Sequence, residues 1–405
     1  MREHQQEGMA EATRLVQQGQ LAEVTALIQR TLGGAFAPMG TPYSPGDADR
    51  PSGSPFRGLD EMLRPTSPPQ QRSTEEHTLR PAPRPPRNFR SAPRSPSVTL
   101  PGVTLPGAAE RVPAAVPEGG RFITRSYTGR AGTRAYKLYV PSGYAGQAVP
   151  LIVMLHGCTQ DPDDFAAGTR MNALDEEGTF LVAYPAQAGN ANMQKCWNWF
   201  QAADQQRDRG EPSLIAGITR EVMGEYEVAE GRVYVAGMSA GGAMAAILAE
   251  TYPDLYSAVG IHSGLAPGAA RDLPSAFAAM SGGSPASTNG NSAGPVPAIV
   301  FHGDRDTTVH PRNADHLLAH YRTGAVSDRN GAGNPAAAVR QGQVSGGHAY
   351  TRTVYRDEAG RGISERWNVH GLGHAWSGGG RSGSYTDPKG PDASAEMVRF
   401  FNQHS

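Results

Sequence analysis

The stretch from Arg232 to Glu250, RVYVAGMSAGGAMAAILAE, most limits what this chain can become. Arg232-Val233-Tyr234-Val235-Ala236 has the β-branched and aromatic content of a buried strand, and Gly242-Ala243-Met244-Ala245-Ala246 opens a helix that runs to Glu250. Only Gly237-Met238-Ser239-Ala240-Gly241 separates them, so a sharp turn must join strand to helix. Such a turn strains the backbone of Ser239, and side chains at the flanking glycines would clash. A strand feeding directly into a helix belongs to a sheet with helices packed against it.

The surrounding pattern agrees from about Gly120 onward. Tyr136 to Val140, Leu151 to His156, Phe180 to Tyr184, Val233 to Ala236, Ala258 to His262 and Ala298 to His302 read as strands. Ile215 to Val228, Gly242 to Glu250, Asn313 to Tyr321 and Ala393 to Asn402 read as helices. The alternation implies an α/β domain over residues 119–405, a mostly parallel twisted sheet with helices on both faces. Thr351 to Tyr355 and Glu365 to His370, joined through Asp357-Glu358-Ala359-Gly360, predict a hairpin at the far edge.

The first third is different. Between Ala35 and Glu118 lie 18 of the 33 prolines. With few aliphatic residues to bury, residues 35–118 are expected to form a disordered, partly polyproline-II linker. Arg64 to Arg94 contains seven Arg, two Glu and no Lys. That stretch suits either a solvated linker or docking to an anionic surface. Ahead of it, Met9, Ala12, Leu15 and Val16, then Leu21, Val24, Ala26, Leu27 and Ile28, predict a helical hairpin over residues 1–34. Residues 1–118 are therefore a candidate contact for a partner or a polymer granule.

Charge and cysteine content exclude several classes. With 37 Lys plus Arg against 38 Asp plus Glu, the chain is no globally basic nucleic-acid binder. The longest apolar run, Val149 to Leu155, suits a buried strand and falls far short of a membrane span. No secretory signal is evident at the start, which points to the cytoplasm. Two cysteines permit at most one internal bridge and exclude a four-thiolate zinc site.

Ser239 needs a base to activate it and a carboxylate to orient that base. After the strand ending at His302 comes Gly303-Asp304-Arg305-Asp306, and after Val369 comes His370-Gly371-Leu372-Gly373-His374. The chain order Ser, Asp, His is that of α/β-hydrolases. His374 is the expected base and Asp306 the expected acid. Asp304 is the competing carboxylate, expected instead to bond within its own turn, with His302 to brace the loop and His370 to sit structurally in the strand. The oxyanion hole should comprise the N–H of Ala240 and, from Leu155-His156-Gly157-Cys158-Thr159-Gln160, that of Cys158. Cys158 and Cys196 both fall in loops at the catalytic end of the sheet; a bridge and two free thiols are both compatible with their spacing. The segment Ala266 to Pro297 reads equally as a mobile flap or an inert surface insertion.

The motifs LHGCTQ, CWNW, GMSAGG, HGDRDTTV and GHAWSGG, in this order, resemble the polyhydroxybutyrate (PHB) depolymerase family of esterases, type 1 catalytic domains, over about residues 120–405. The resemblance implies an α/β-hydrolase fold and a triad of Ser239, Asp306 and His374. It also implies an oxyanion hole at Cys158, a Cys158–Cys196 disulfide, and Trp197, Trp199 and Trp376 lining the acyl site. It further implies an extracellular setting, against the cytoplasm read from the missing signal. The expected activity is hydrolysis of short-chain hydroxyalkanoate esters, with no cofactor and no metal. Because the chain ends at Ser405 directly after its last helix, oligomers, amorphous polymer or small esters are expected over crystalline polymer. The alternatives are a feruloyl or acetyl-xylan type esterase acting on polysaccharide esters and, in another class, a granule- or partner-tethering protein.

Overall fold

In β3 (Val149–Leu155) every residue is buried, and the side chains divide between two cores. Leu151, Val153 and Leu155 join one hydrophobic cluster, while Ile152 and Met154 join the other. That alternation follows from the two-residue period of a strand whose two faces are both covered.

The computed structural model describes residues 116–282, 296–323, 337–357 and 360–404. All of them fall in one compact unit, Val98–Ser405. The expected hairpin over 1–34 and nearly all of the linker over 35–118 lie outside the described residues. So does the middle of the expected flap, whose first part contains the helix α5 (Leu273–Met280).

Among the described residues ten strands make one sheet in the order β1-β2-β4-β3-β5-β6-β7-β10-β9-β8. The remaining nine are β1 (Arg121–Gly129), β2 (Gly132–Val140), β4 (Leu181–Pro185), β5 (Val228–Met238), β6 (Ala258–His262), β7 (Ala298–Gly303), β8 (Ala337–Gln343), β9 (Ala349–Arg356) and β10 (Gly362–Val369). The central six, β4-β3-β5-β6-β7-β10, pair in parallel. The β1–β2 hairpin flanks them antiparallel on one side, and β9 and β8 on the other. The expected hairpin of β9 and β10 forms, but not at the edge: β10 pairs with β7 inside the sheet and β8 lies outermost.

One face is packed by α3 (Gly210–Glu225), α4 (Ala240–Thr251) and α6 (Arg312–Thr323), the other by α1 (Pro162–Thr169), α2 (Met171–Gly178) and α7 (Ala393–Phe401). α3 starts earlier than its apolar periodicity predicts, because Asp204 Oδ1 accepts the Glu211 N–H at 2.7 Å and satisfies the first turn. It also ends earlier, so Val228 begins β5 instead of closing a helix. In a parallel sheet all carboxyl ends share one rim, which gathers the loops after Leu155, Met238, His262, Gly303 and Val369. No described helix is long and apolar enough to cross a membrane.

Candidate active site

Ser239 stands between the last residue of β5 and the first of α4 at φ 57° and ψ −122°. This strained conformation for an L-residue is held from both sides: the Ser239 N–H donates to His262 O at 2.9 Å, and the Ala243 N–H to Ser239 O at 2.9 Å. Glycine is required nearby because backbones cross closely. A Cβ on Gly241 would lie 2.1 Å from Leu155 O and 2.5 Å from His156 O. The start of α4 is thus pressed onto the end of β3, which brings the serine beside the loop that follows. A Cβ on Gly157 would come within 3.6 Å of Ser239 Cβ.

Asp306 and His374, the expected acid and base, meet across 68 residues of chain. His374 Nδ1 donates to Asp306 Oδ2 at 2.8 Å. Asp306 Oδ1 accepts the N–H groups of Thr308 and Val309, each at 2.9 Å, so the carboxylate is fixed by its own loop. Burial alone would raise the Asp306 carboxyl, but hydrogen bonds from His302 and His374 hold it well below the usual carboxylate range. His302 braces the loop as expected, with Nε2 2.8 Å from Val309 O and 3.4 Å from Asp306 Oδ2.

Asp304 does not bond within its own turn. Its Oδ1 accepts the Gly371 N–H at 2.7 Å and its Oδ2 pairs with His370 Nδ1 at 2.9 Å. His370 lies one residue beyond β10, and its Nε2 bonds the Thr351 hydroxyl at 3.0 Å. The two carboxylates therefore differ in partner: Asp306 faces His374, and Asp304 ties down the loop that carries it.

The Ser239 hydroxyl does not cap α4, and among the described residues it has no hydrogen-bond partner, His374 included. Catalytic hydrogen bonds in unliganded enzymes are often long and tighten when substrate binds. What joins the two loops is His262, which sequence reasoning passed over as an ordinary strand residue. Its carbonyl holds Ser239, its Nε2 accepts the Ser377 N–H at 3.0 Å, and its ring stacks on Trp376 at 5.1 Å. Burial pushes this imidazole down to about 3, so it is neutral and free to accept. The one signal in the chain is its place at the carboxyl end of β6, between the nucleophile strand and the acid strand.

In the loop after β3, the Gly157 N–H donates to Gln160 Oε1 at 3.0 Å and the Thr159 N–H to Gln194 O at 2.6 Å. Between them the Cys158 N–H has no partner among the described residues, and neither does the Ala240 N–H at the start of α4. Cys158 is bonded to Cys196, which clamps this loop to the segment 187–198. A buried network anchors that segment in turn. Glu211 Oε2 accepts the Asn198 N–H at 2.7 Å, and its Oε1 accepts from Asn198 Nδ2 at 2.9 Å and Arg134 at 3.2 Å.

All three tryptophans expected near the acyl site are buried. Trp197 is fully buried and donates Nε1–H to His156 O at 3.1 Å; Trp376, 1% exposed, donates to the Ser394 hydroxyl at 3.1 Å. Their indole N–H groups are spent on these internal bonds, one beside the loop after β3 and one beside the loop that carries His374. Trp199 is buried too, with 5% exposure. Among the described residues no group of three or more His, Cys, Asp or Glu is placed to hold a metal.

The family model for esterase PHB depolymerases matches residues 134–344, just over half of the chain. The chain belongs to this family. The match contains Ser239 and Asp306 and ends before His374. The chain is 32% identical over 254 residues to poly(3-hydroxyalkanoate) depolymerase C of Paucimonas lemoignei, an alignment covering 58% of this chain and 57% of that one. It is 29% identical over 245 residues to feruloyl esterase B of Neurospora crassa, covering 54% and 76%. It thus spans little more than half the length of the depolymerase. The fold is also that of an acetyl xylan esterase from Aspergillus awamori, with a TM-score of 0.54 and 19% identity over 70% of this chain and 99% of that one. This member of the family is an α/β-hydrolase by architecture.

Proposed function

We propose that the protein is a serine esterase that hydrolyses carboxylic esters of short-chain hydroxyalkanoates through an acyl-enzyme. The observation that carries this reading is the hydrogen bond from His374 to Asp306 on the same rim as a strained serine with two unused N–H groups at its side. Ser239 Oγ attacks the ester carbonyl while His374 Nε2 takes its proton. Asp306 keeps the imidazole in the tautomer with Nδ1–H and stabilises its cation. The N–H groups of Cys158 and Ala240 bind the developing oxyanion; one such donor contributes roughly 3–4 kcal/mol to the transition state. The alcohol leaves with the proton from His374, and water repeats the cycle in reverse to release the acid.

A second reading shares this chemistry and differs in substrate. The likeness to a feruloyl esterase supports a polysaccharide ester carrying ferulate or acetate. A panel of 3-hydroxybutyrate oligomers, feruloyl esters and acetylated xylan separates them by kcat/KM. Hydrolysis of the oligomers with at least tenfold preference supports the hydroxyalkanoate reading; preference for either polysaccharide ester overturns it. In both, Ser239→Ala should lose at least about 1000-fold of activity. Near-native turnover by that variant would remove the esterase mechanism itself. Residues 1–118 are proposed as a tether: a chain lacking them should hydrolyse soluble esters at the full rate and lose retention on polymer granules.

A further inference from the structure

The N–H offered by Cys158 belongs to the same peptide unit as the carbonyl of Gly157. In a trans peptide these two groups point in opposite directions, and the described chain has no cis bonds. Whatever fixes the Gly157 oxygen therefore aims the Cys158 N–H. Glycine lacks a Cβ and lets that peptide rotate; a Cβ here would crowd Gln160 Oε1 at 3.1 Å and touch Ser239 Cβ at 3.6 Å. An oxyanion donor built on this glycine requires an external lock.

The Gln160 N–H reaches Gly157 O only at 3.4 Å, and His156 supplies the shorter hold. Its Nδ1 lies 2.7 Å from Gly157 O, and its Nε2 accepts the Gln187 N–H at 3.1 Å. The ring is wholly buried, and its own carbonyl is held by the Trp197 indole at 3.1 Å. Burial pushes the imidazole down to about 4, so at neutral pH it carries a single ring proton. With Nε2 committed as an acceptor, that proton sits on Nδ1 and is donated to Gly157 O.

We propose that His156 is a positioning residue that locks the Gly157–Cys158 peptide with its N–H turned toward Ser239, so that the oxyanion hole is formed before substrate arrives. The inference rests on the esterase reading for its consequence and on the hydrogen bonds alone for its geometry. Donation to the carbonyl also polarises the peptide and makes the Cys158 N–H a stronger donor. The role is distinct from that of the Cys158–Cys196 bond, which anchors the side chain and does not touch the Gly157 carbonyl.

Two substitutions separate the two ring nitrogens. His156→Asn keeps a donor near the place of Nδ1 and gives up the acceptor for Gln187. His156→Gln keeps an acceptor near Nε2 and gives up the donor to Gly157. The lock predicts that His156→Gln lowers kcat by about 100-fold with KM changed less than threefold, and weakens a boronic acid transition-state analogue in parallel. His156→Asn should recover most of that loss. Equal losses in the two variants, or losses that follow only the folded fraction, would overturn the proposal. Should either variant fail to fold, 15N NMR of the wild-type imidazole decides: protonation at Nδ1 is required, and an Nε2–H tautomer overturns it. Activity surviving in Ser239→Ala would defeat the esterase reading while leaving this tautomer result intact.

Discussion

Asp304 binds both sides of one peptide step in the histidine loop, the His370 ring and the Gly371 N–H, from a position two residues before the carboxylate that orients His374. A strand end and a distant loop are thereby fastened to each other close to His374, the proposed base.

Removing the fastening should cost less than removing the acid. Asp304→Ala is expected to lower kcat by about 10- to 100-fold through misplacement of the base. Asp306→Ala should lower it by about 10,000-fold. Steady-state kinetics on one soluble ester compares them; an equal loss at both positions would contradict the division of labour.

Close backbone crossing makes Gly241 irreplaceable. Gly241→Ala drives a Cβ into the carbonyls of Leu155 and His156, so it should fail to accumulate as folded protein or lose its oxyanion loop. Gly224 in α3 has nothing within 4 Å of an added Cβ, and Gly224→Ala should be neutral or stabilising by up to about 1 kcal/mol. Thermal unfolding of the pair tests this.

The Cys158–Cys196 bridge closes a loop with a sequence separation of 38 and holds the residue proposed as one oxyanion donor. Reduction, or Cys196→Ser, should cost roughly 3–4 kcal/mol of stability. It should also lower kcat at temperatures where the protein stays folded. Denaturant midpoints with and without reductant, alongside rates, show whether both fall.

Much of this was legible because the signals are local. The strand, the Gly-x-Ser-x-Gly turn and the helix at Val233–Glu250 sit within one short window, and β6 was read to the residue. The pairing of Asp306 with His374 follows from chain order and rim position. What escaped depends on distant contacts. β1 mixes half-buried and exposed residues with none fully buried, and it is defined by its pairing with β2. The short α1 and α2 are polar and are marked chiefly by the cap at Asp161 and the left-handed Arg170 between them. Asp304 and Asp306 are indistinguishable as letters; only the folded loop shows which one faces His374. Tryptophans near a site look alike whether they line it or support it, and burial decides for Trp197 and Trp376.

One buried acid opposes stability as pH rises. Asp175 is fully buried, with Oδ1 accepting the Phe180 N–H at 2.8 Å and no partner for Oδ2 among the described residues. Burial raises its carboxyl to about 9, so the folded state keeps a proton that the unfolded chain releases above about pH 4. Its contribution is complete below that point and is lost progressively as pH rises to about 9. Asp175→Asn, which keeps the acceptor without the charge, should flatten this slope and equal or exceed wild type at pH 8. A steeper fall in the variant between pH 5 and 8 would contradict the assignment.

The most direct test of the account is covalent trapping. Labelling with an alkyl fluorophosphonate, followed by peptide mass analysis, should place one adduct on Ser239, slowed by about 1000-fold or more in His374→Ala. An adduct on another residue, or labelling at the wild-type rate when His374 is gone, would contradict it.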